Sequence, residues 1–146
     1  MRAIKYIILS IISLNFCFSE ENPDYSFWEN LDTNEKLTFV KGYYLGLSRS
    51  LKTLKNEASR MRRQNKFWSP PFSHENSARR MLEFFSDPMP DYGEIVKIID
   101  AFYESSDNHN ISIETSLHIL MLHRSGSENK ANTLLLREQK KLLKGR

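Results

Sequence analysis

Four histidines and a single cysteine are the side chains of this 146-residue sequence best suited to binding a transition metal. His118 and His123 lie five residues apart, about 140° around a helix, so they cannot bind one ion together. The segment that begins at Asp107 resembles a calcium loop, but Ser112 replaces the required glycine and His118 replaces the final glutamate. The sequence also has no glycine-rich phosphate loop, so we predict no metal site and no cofactor.

Catalytic patterns are equally sparse. Residues Ser127 to Lys130 match the S-x-x-K pattern of some serine hydrolases, but the motifs that accompany it are absent, as is G-x-S-x-G. Two carboxylates could still meet across helices, for instance Glu94 or Asp100 with Glu114, and an envelope hydrolase would need such a pair. The sequence favours a protein that is not an enzyme, with this hydrolase as the weaker alternative.

Two glycines point to binding. Gly42 and Gly46 are one helical turn apart, and each costs about 1 kcal/mol relative to alanine inside a helix. Such a pair suggests that something approaches the backbone closely, which is either a crossing helix or a ligand or partner. Tyr43 would supply an amphipathic wall to such a groove. These three residues are therefore candidate partner-binding residues.

The glycines fall within a long predicted helix. Asp32 and Glu35 have the D-x-x-E form of a capping box, which predicts a helix over residues 33–64. Apolar residues alternate at spacings of three and four along it and would pack within the chain or against a second copy: Leu37, Val40, Tyr44, Leu47, Leu51, Leu54, Ala58 and Met61. Seven cations near its second half accompany one acid, Glu57: Arg49, Lys52, Lys55, Arg60, Arg62, Arg63 and Lys66.

The rest of the chain also has helical patterns. Asp91 and Ser112 are predicted N-caps, and Gly126 is a predicted helix stop. The predicted helices are residues 75–86, 92–105, 112–124 and a last one from 127 into a basic tail. The apolar run 117–122 would also fit a buried strand, but we find no partner strand. The predicted fold class is all-α, a single-domain bundle of four or five helices over residues 20–146.

Residues 1–19 have the pattern of a secretory signal peptide. A basic start is followed by an apolar run of about eleven residues and small residues before a cleavage point after Ser19. This run is shorter than the roughly 20 residues that span a bilayer. We therefore predict a periplasmic or secreted protein with no transmembrane span in its mature form. A lipoprotein anchored at Cys17 is the minor alternative.

Export changes the charge and the chemistry of the mature chain. Removing Arg2 and Lys5 from the 21 basic residues leaves 19 against 18 acidic residues, a net charge of +1. The only cysteine is removed as well, which excludes disulfides and thiolate chemistry from residues 20–146. A nearly neutral exported protein is a poor match for nucleic acid, so we expect a protein or cell-envelope partner instead.

Three motifs resemble, in the same order, those of small exported bacterial helical proteins of unknown function: Phe39-Val-Lys-Gly-Tyr-Tyr-Leu-Gly46, Ile99-Asp-Ala-Phe-Tyr103 and Asn108-His-Asn-Ile-Ser-Ile113. The chain is more weakly similar to the Rap1a/Tai immunity-protein family. The first resemblance implies four recurring positions, Asp100, Phe102, Tyr103 and Asn110, and all of these except Phe102, which belongs to the predicted core stripe, join the candidate residues. We expect Asp100 to accept hydrogen bonds from the 107–112 loop and Asn110 to cap or brace the next helix.

The predicted function is that of a binding or interaction module for a protein or envelope partner. The export pattern, the lack of a catalytic constellation and the two glycines support it. An immunity-type inhibitor of a toxic enzyme is the alternative that the second resemblance implies.

Overall fold

A computed structural model describes residues 22–144, in which the chain forms six α-helices and one 3-10 turn and no strand. The predicted all-α bundle is therefore confirmed. The predicted signal peptide, residues 1–19 with Cys17, lies outside the described residues.

The first helix, α1, is Tyr25–Glu29, and the sequence analysis missed it. Asp24 begins it by accepting hydrogen bonds from the backbone N–H groups of Ser26 and Phe27. Trp28, its one buried residue, is 1% exposed and belongs to the main core. Trp28 holds the N-terminal segment on the bundle together with Tyr25, whose ring stacks on His109 at 3.7 Å, and with the Pro23 carbonyl, which accepts from the backbone N–H of Ile113 at 2.8 Å.

The second helix, α2, is Thr33–Gln64, with the bounds that the sequence predicts. Both halves of the capping box are present: Asp32 accepts from the backbone of Glu35, whose side chain accepts from the backbone of Asp32. Every position of the predicted apolar seam is buried or half-buried. The seam packs within the chain, against the helices Phe72–Leu82 and Tyr92–Tyr103.

The third helix, α3, is Phe72–Leu82, so the predicted range 75–86 is shifted toward the C-terminus. Pro71 sits at the N-cap position, where the chain is still extended, and α3 begins directly after it. Beyond Leu82 the chain turns, and Phe84 is buried in the core without being helical. The apolar residues at the end of the predicted range serve packing rather than a helix.

The remaining helices agree closely with prediction. They are α4, Tyr92–Tyr103, then a 3-10 turn, Ser106–Asn108, then α5, Ile113–Arg124, and α6, Glu128–Lys144. Ser112 caps α5, and Gly126 follows it with a φ of 77°, which favours glycine. The apolar run in α5 is helical because its two sides are buried in different clusters. Leu117 and Met121 join the main core with α2 and α4, whereas Ile119 and Leu122 pack under α6.

Candidate functional site

A cleft opens where α2, α3, α5 and α6 approach one another. Its first part is a cavity of about 310 Å³ with an apolar side formed by Tyr43, Leu47, Met81, Phe84 and Leu134. The polar side of the cavity is formed by Ser77, Arg80, Glu114, Thr115, His118 and Arg137. A wider second part of about 640 Å³ shares Arg80, His118, Leu134 and Arg137 and adds Glu83 and Lys130 among its lining residues.

Aromatic rings build the wall of the cleft. The Tyr43 and Phe84 rings lie 5.9 Å apart, and the Phe84 ring stacks on His118 at 4.8 Å. Burial, with the charge of Glu114 as a smaller cause, raises the pKa of Tyr43 well above its usual value. The Tyr43 hydroxyl is therefore a neutral hydrogen-bonding group at the cleft.

The carboxylate of Glu83, which lines the second part of the cleft, pairs with two side chains. Glu83 pairs with His118 at 2.8 Å through one oxygen and with Lys130 at 2.5 Å through the other. Burial alone would raise the pKa of Glu83, but the hydrogen bonds from Lys130 and His118 outweigh it and lower that pKa. Glu83 thus fixes His118 and neutralises Lys130, while Arg80 and Arg137 remain as the cations shared by both parts.

We expect Glu83→Gln to destabilise the fold by about 2 kcal/mol at pH 5, because the side chain is 20% exposed and makes two charge-assisted hydrogen bonds. A carboxylate whose pKa is lowered by folding stabilises the fold in full above its pKa in the unfolded chain, about 4.5. This stabilisation is lost as the pH falls through the pKa of the folded state. Urea unfolding from pH 5 to pH 3 should therefore show the difference between wild type and variant shrinking. The exposed Glu104→Gln is the control, and a pH-independent difference would contradict the role of the Glu83 charge.

The structure corrects one interpretation of Gly42 and Gly46. No helix among residues 22–144 crosses there: both glycines are exposed, and a Cβ at either position would meet nothing within 4 Å. Leu45, between them, is 53% exposed. The interpretation that an outside partner covers this face stays a prediction. Gly42 and Gly46 do not line the cleft, so Tyr43 and the glycines serve different surfaces.

We expect Gly42→Ala and Gly46→Ala each to raise the free energy of unfolding by about 1 kcal/mol, because alanine relieves the entropic cost of glycine in a helix and fits without contact. Chemical denaturation measures this. Gly126→Ala is the opposite control, since its positive φ should make it destabilising. If Gly42→Ala and Gly46→Ala were less stable than wild type, this face of α2 would have to be covered by another part of the chain.

Asp100 has partners other than the predicted loop. One of its oxygens accepts from the indole N–H of Trp28 and pairs with Lys36, both at 2.8 Å. The Lys36 ammonium also lies 5.2 Å from the centre of the Trp28 ring. The expectation that Asp100 binds the 107–112 loop is therefore wrong, and Asp100 instead joins α1, α2 and α4.

Asn108, rather than Asn110, stabilises the loop before α5. The buried Asn108 donates to the Phe102 carbonyl at 2.7 Å and accepts from Gln139 at 2.9 Å. Asn110 is exposed, and the residue that caps α5 is Ser112. Tyr103 is a core residue whose hydroxyl donates to the Ile111 carbonyl at 2.7 Å. Burial is the main cause that raises the pKa of Tyr103 to about 12.

Of the six candidate residues, Tyr43 lines the cleft and the other five do not. The carboxylates considered for hydrolysis also separate: Glu94 pairs with Arg124, Asp100 pairs with Lys36, and Glu114 lines the cleft. Sequence reasoning missed the remaining cleft residues because they come from helices far apart in the chain. A weak signal was the placement of His118 within the otherwise apolar run 117–122.

Among residues 22–144, no three His, Cys, Asp or Glu side chains are placed to hold a metal ion. In the same part of the chain, no helix has both the length and the apolar character needed to cross a bilayer. Comparison with models of protein families, with curated proteins and with solved structures finds no match to this chain.

Proposed function

We propose that this chain is exported through residues 1–19 and acts by binding a protein or cell-envelope partner at the cleft between α2, α3, α5 and α6. The observation that carries the proposal is the pairing of an aromatic wall with two cleft arginines, Arg80 and Arg137. An acidic segment with an aromatic or aliphatic side chain fits this chemistry, because its carboxylate would meet the arginines while its apolar group packs against the half-buried Tyr43 and Leu134.

The cleft lining has three basic side chains, Arg80, Lys130 and Arg137, against two carboxylates, Glu83 and Glu114, so its charge balance favours an anionic group in the partner. Glu83 is already engaged by His118 and Lys130, so it does not compete for the arginines. Arg137 does pair with Glu138 at 3.1 Å, but both Arg80 and Arg137 are exposed, and an exposed pair exchanges readily for a better one. A partner carboxylate that makes a bidentate contact with Arg137 would be a better pair than Glu138.

The test is affinity capture from a cell-envelope extract with tagged residues 20–146 as bait. We expect one or a few partners to be enriched over an unrelated helical bait, and their binding to weaken as salt is raised. Antibody detection of the full chain in cell fractions tests export separately. A bait that enriches nothing under gentle conditions, or a chain that stays in the cytosol at full length, would contradict the proposal.

A further inference from the structure

The end of the hairpin formed by α2 and α3 exposes two phenyl rings. Phe67, in the loop 65–71, is 97% exposed, and Phe72, which opens α3, is 76% exposed. Trp68 lies between them in the chain and is half-buried. Isolated exposed apolar residues are ordinary on protein surfaces, but a group of large aromatic residues at one place marks an interaction site. We call residues 62–72 the tip.

The tip lies away from the core. Leu51 is the last buried residue of α2, and the remaining residues to Gln64 extend the helix by about 20 Å. Helix α3, which packs against α2, has no fully buried residue. The two phenyl rings are therefore exposed at an end of the helix pair beyond the last buried residue of α2, where a partner surface can reach them without disturbing the core.

The tip is also strongly basic. Arg62, Arg63 and Lys66 are exposed and lie within five residues of Phe67 in the chain, and the sequence has no acidic residue between Glu57 and Glu75. Cations within a few residues of exposed aromatic side chains are typical of segments that bind the interface of a negatively charged bilayer. The rings enter the boundary between headgroups and acyl chains, and the cations stay among the phosphates.

We propose that the tip binds the surface of an anionic membrane, with Phe67 and Phe72 inserted at the interface and Arg62, Arg63 and Lys66 against the lipid phosphates. A fluid bilayer accepts exposed phenyl rings and nearby cations without a pocket of matching shape, which a folded protein partner would need. This surface is separate from the cleft, so the membrane proposal and the proposed function can fail independently.

Vesicle binding of residues 20–146, which contain every described helix, tests the proposal. We expect binding to vesicles of phosphatidylglycerol and phosphatidylethanolamine to be at least tenfold tighter than to phosphatidylcholine alone, and to weaken with salt. Phe67→Ala should weaken binding about tenfold or more, and Arg62→Gln with Arg63→Gln to a similar extent. Both sites are exposed, so unchanged thermal melting is expected to confirm that these variants fold.

Matched controls come from exposed residues elsewhere. Leu45→Ala removes an exposed apolar side chain from α2, outside the tip, and Lys41→Gln with Lys97→Gln removes the same charge as the arginine variant. Both controls should bind anionic vesicles like wild type. Absence of vesicle binding, equal binding to both lipid compositions, or equal losses in the control variants would each overturn the proposal.

The two tryptophans give a direct readout of which surface meets the lipid. Trp28 is buried in the core, so lipid can contact Trp68 alone without unfolding. Phosphatidylglycerol with brominated acyl chains should therefore quench the Trp68 fluorescence when the chain binds. Binding without quenching would place another surface, such as the basic C-terminal tail, on the membrane and would overturn the proposal.

Discussion

Trp28→Ala is expected to lower the free energy of unfolding by about 4 kcal/mol, since removing a fully buried tryptophan costs roughly 3–5 kcal/mol. The ring packs edge-on against Phe39 at 6.2 Å, and its N–H donates to Asp100 at 2.8 Å. The substitution therefore removes apolar contacts and leaves a cavity, and it deprives Asp100 of a donor. For a domain of this size the melting temperature should fall by about 15 °C.

Thermal and urea unfolding measure this effect, and two variants separate its causes. Phe27→Ala removes the preceding aromatic residue of α1, which is 42% exposed, and should cost about 1 kcal/mol or less. Trp28→Phe keeps much of the apolar area but loses the bond to Asp100, so an intermediate cost of about 1–2 kcal/mol is expected. If Trp28→Ala were no more destabilising than Phe27→Ala, α1 would not be anchored in the core.

The behaviour of α1 shows why part of this fold is invisible to sequence patterns. Five residues are too short to display a helical period, and an isolated helix of that length is not stable in water. It forms because Trp28 reaches a core made by the neighbouring α2 and by α4, Tyr92–Tyr103, which lies far along the chain. By contrast, α2 was predictable to the residue, since its capping box and eight-position seam carry the information locally.

The candidate site was harder to predict than the fold for the same reason. Tyr43, Arg80, His118 and Arg137 meet through the packing of four helices, and no spacing along the chain records that contact. Local patterns also mislead when their context is unknown. Gly42 and Gly46 weaken a helix wherever they occur, so their presence could not distinguish a covered face from the exposed one that the structure has.

The largest effect on function is expected from reversing the two cleft cations. Arg80→Glu with Arg137→Glu should weaken binding of a captured partner about 100-fold or more. Each arginine is expected to make a charge-assisted hydrogen bond of about 1.5–3 kcal/mol, and about 3 kcal/mol in total corresponds to a factor of roughly 100. Repulsion between the new carboxylates and an acidic partner adds to the loss.

A matched variant distinguishes the cleft from the general charge of the molecule. Arg79→Glu with Lys140→Glu reverses two exposed cations on the same helices, α3 and α6, but neither residue lines the cleft. Both double variants change the net charge equally, so long-range attraction falls equally in both. Titration of the captured partner should therefore show near-wild-type affinity for the control and a large loss for the cleft variant. Equal losses of affinity in the two double variants would mean that overall charge, not the cleft, determines binding. A loss of affinity found only in Gly42→Ala would place the partner on the exposed face of α2 instead.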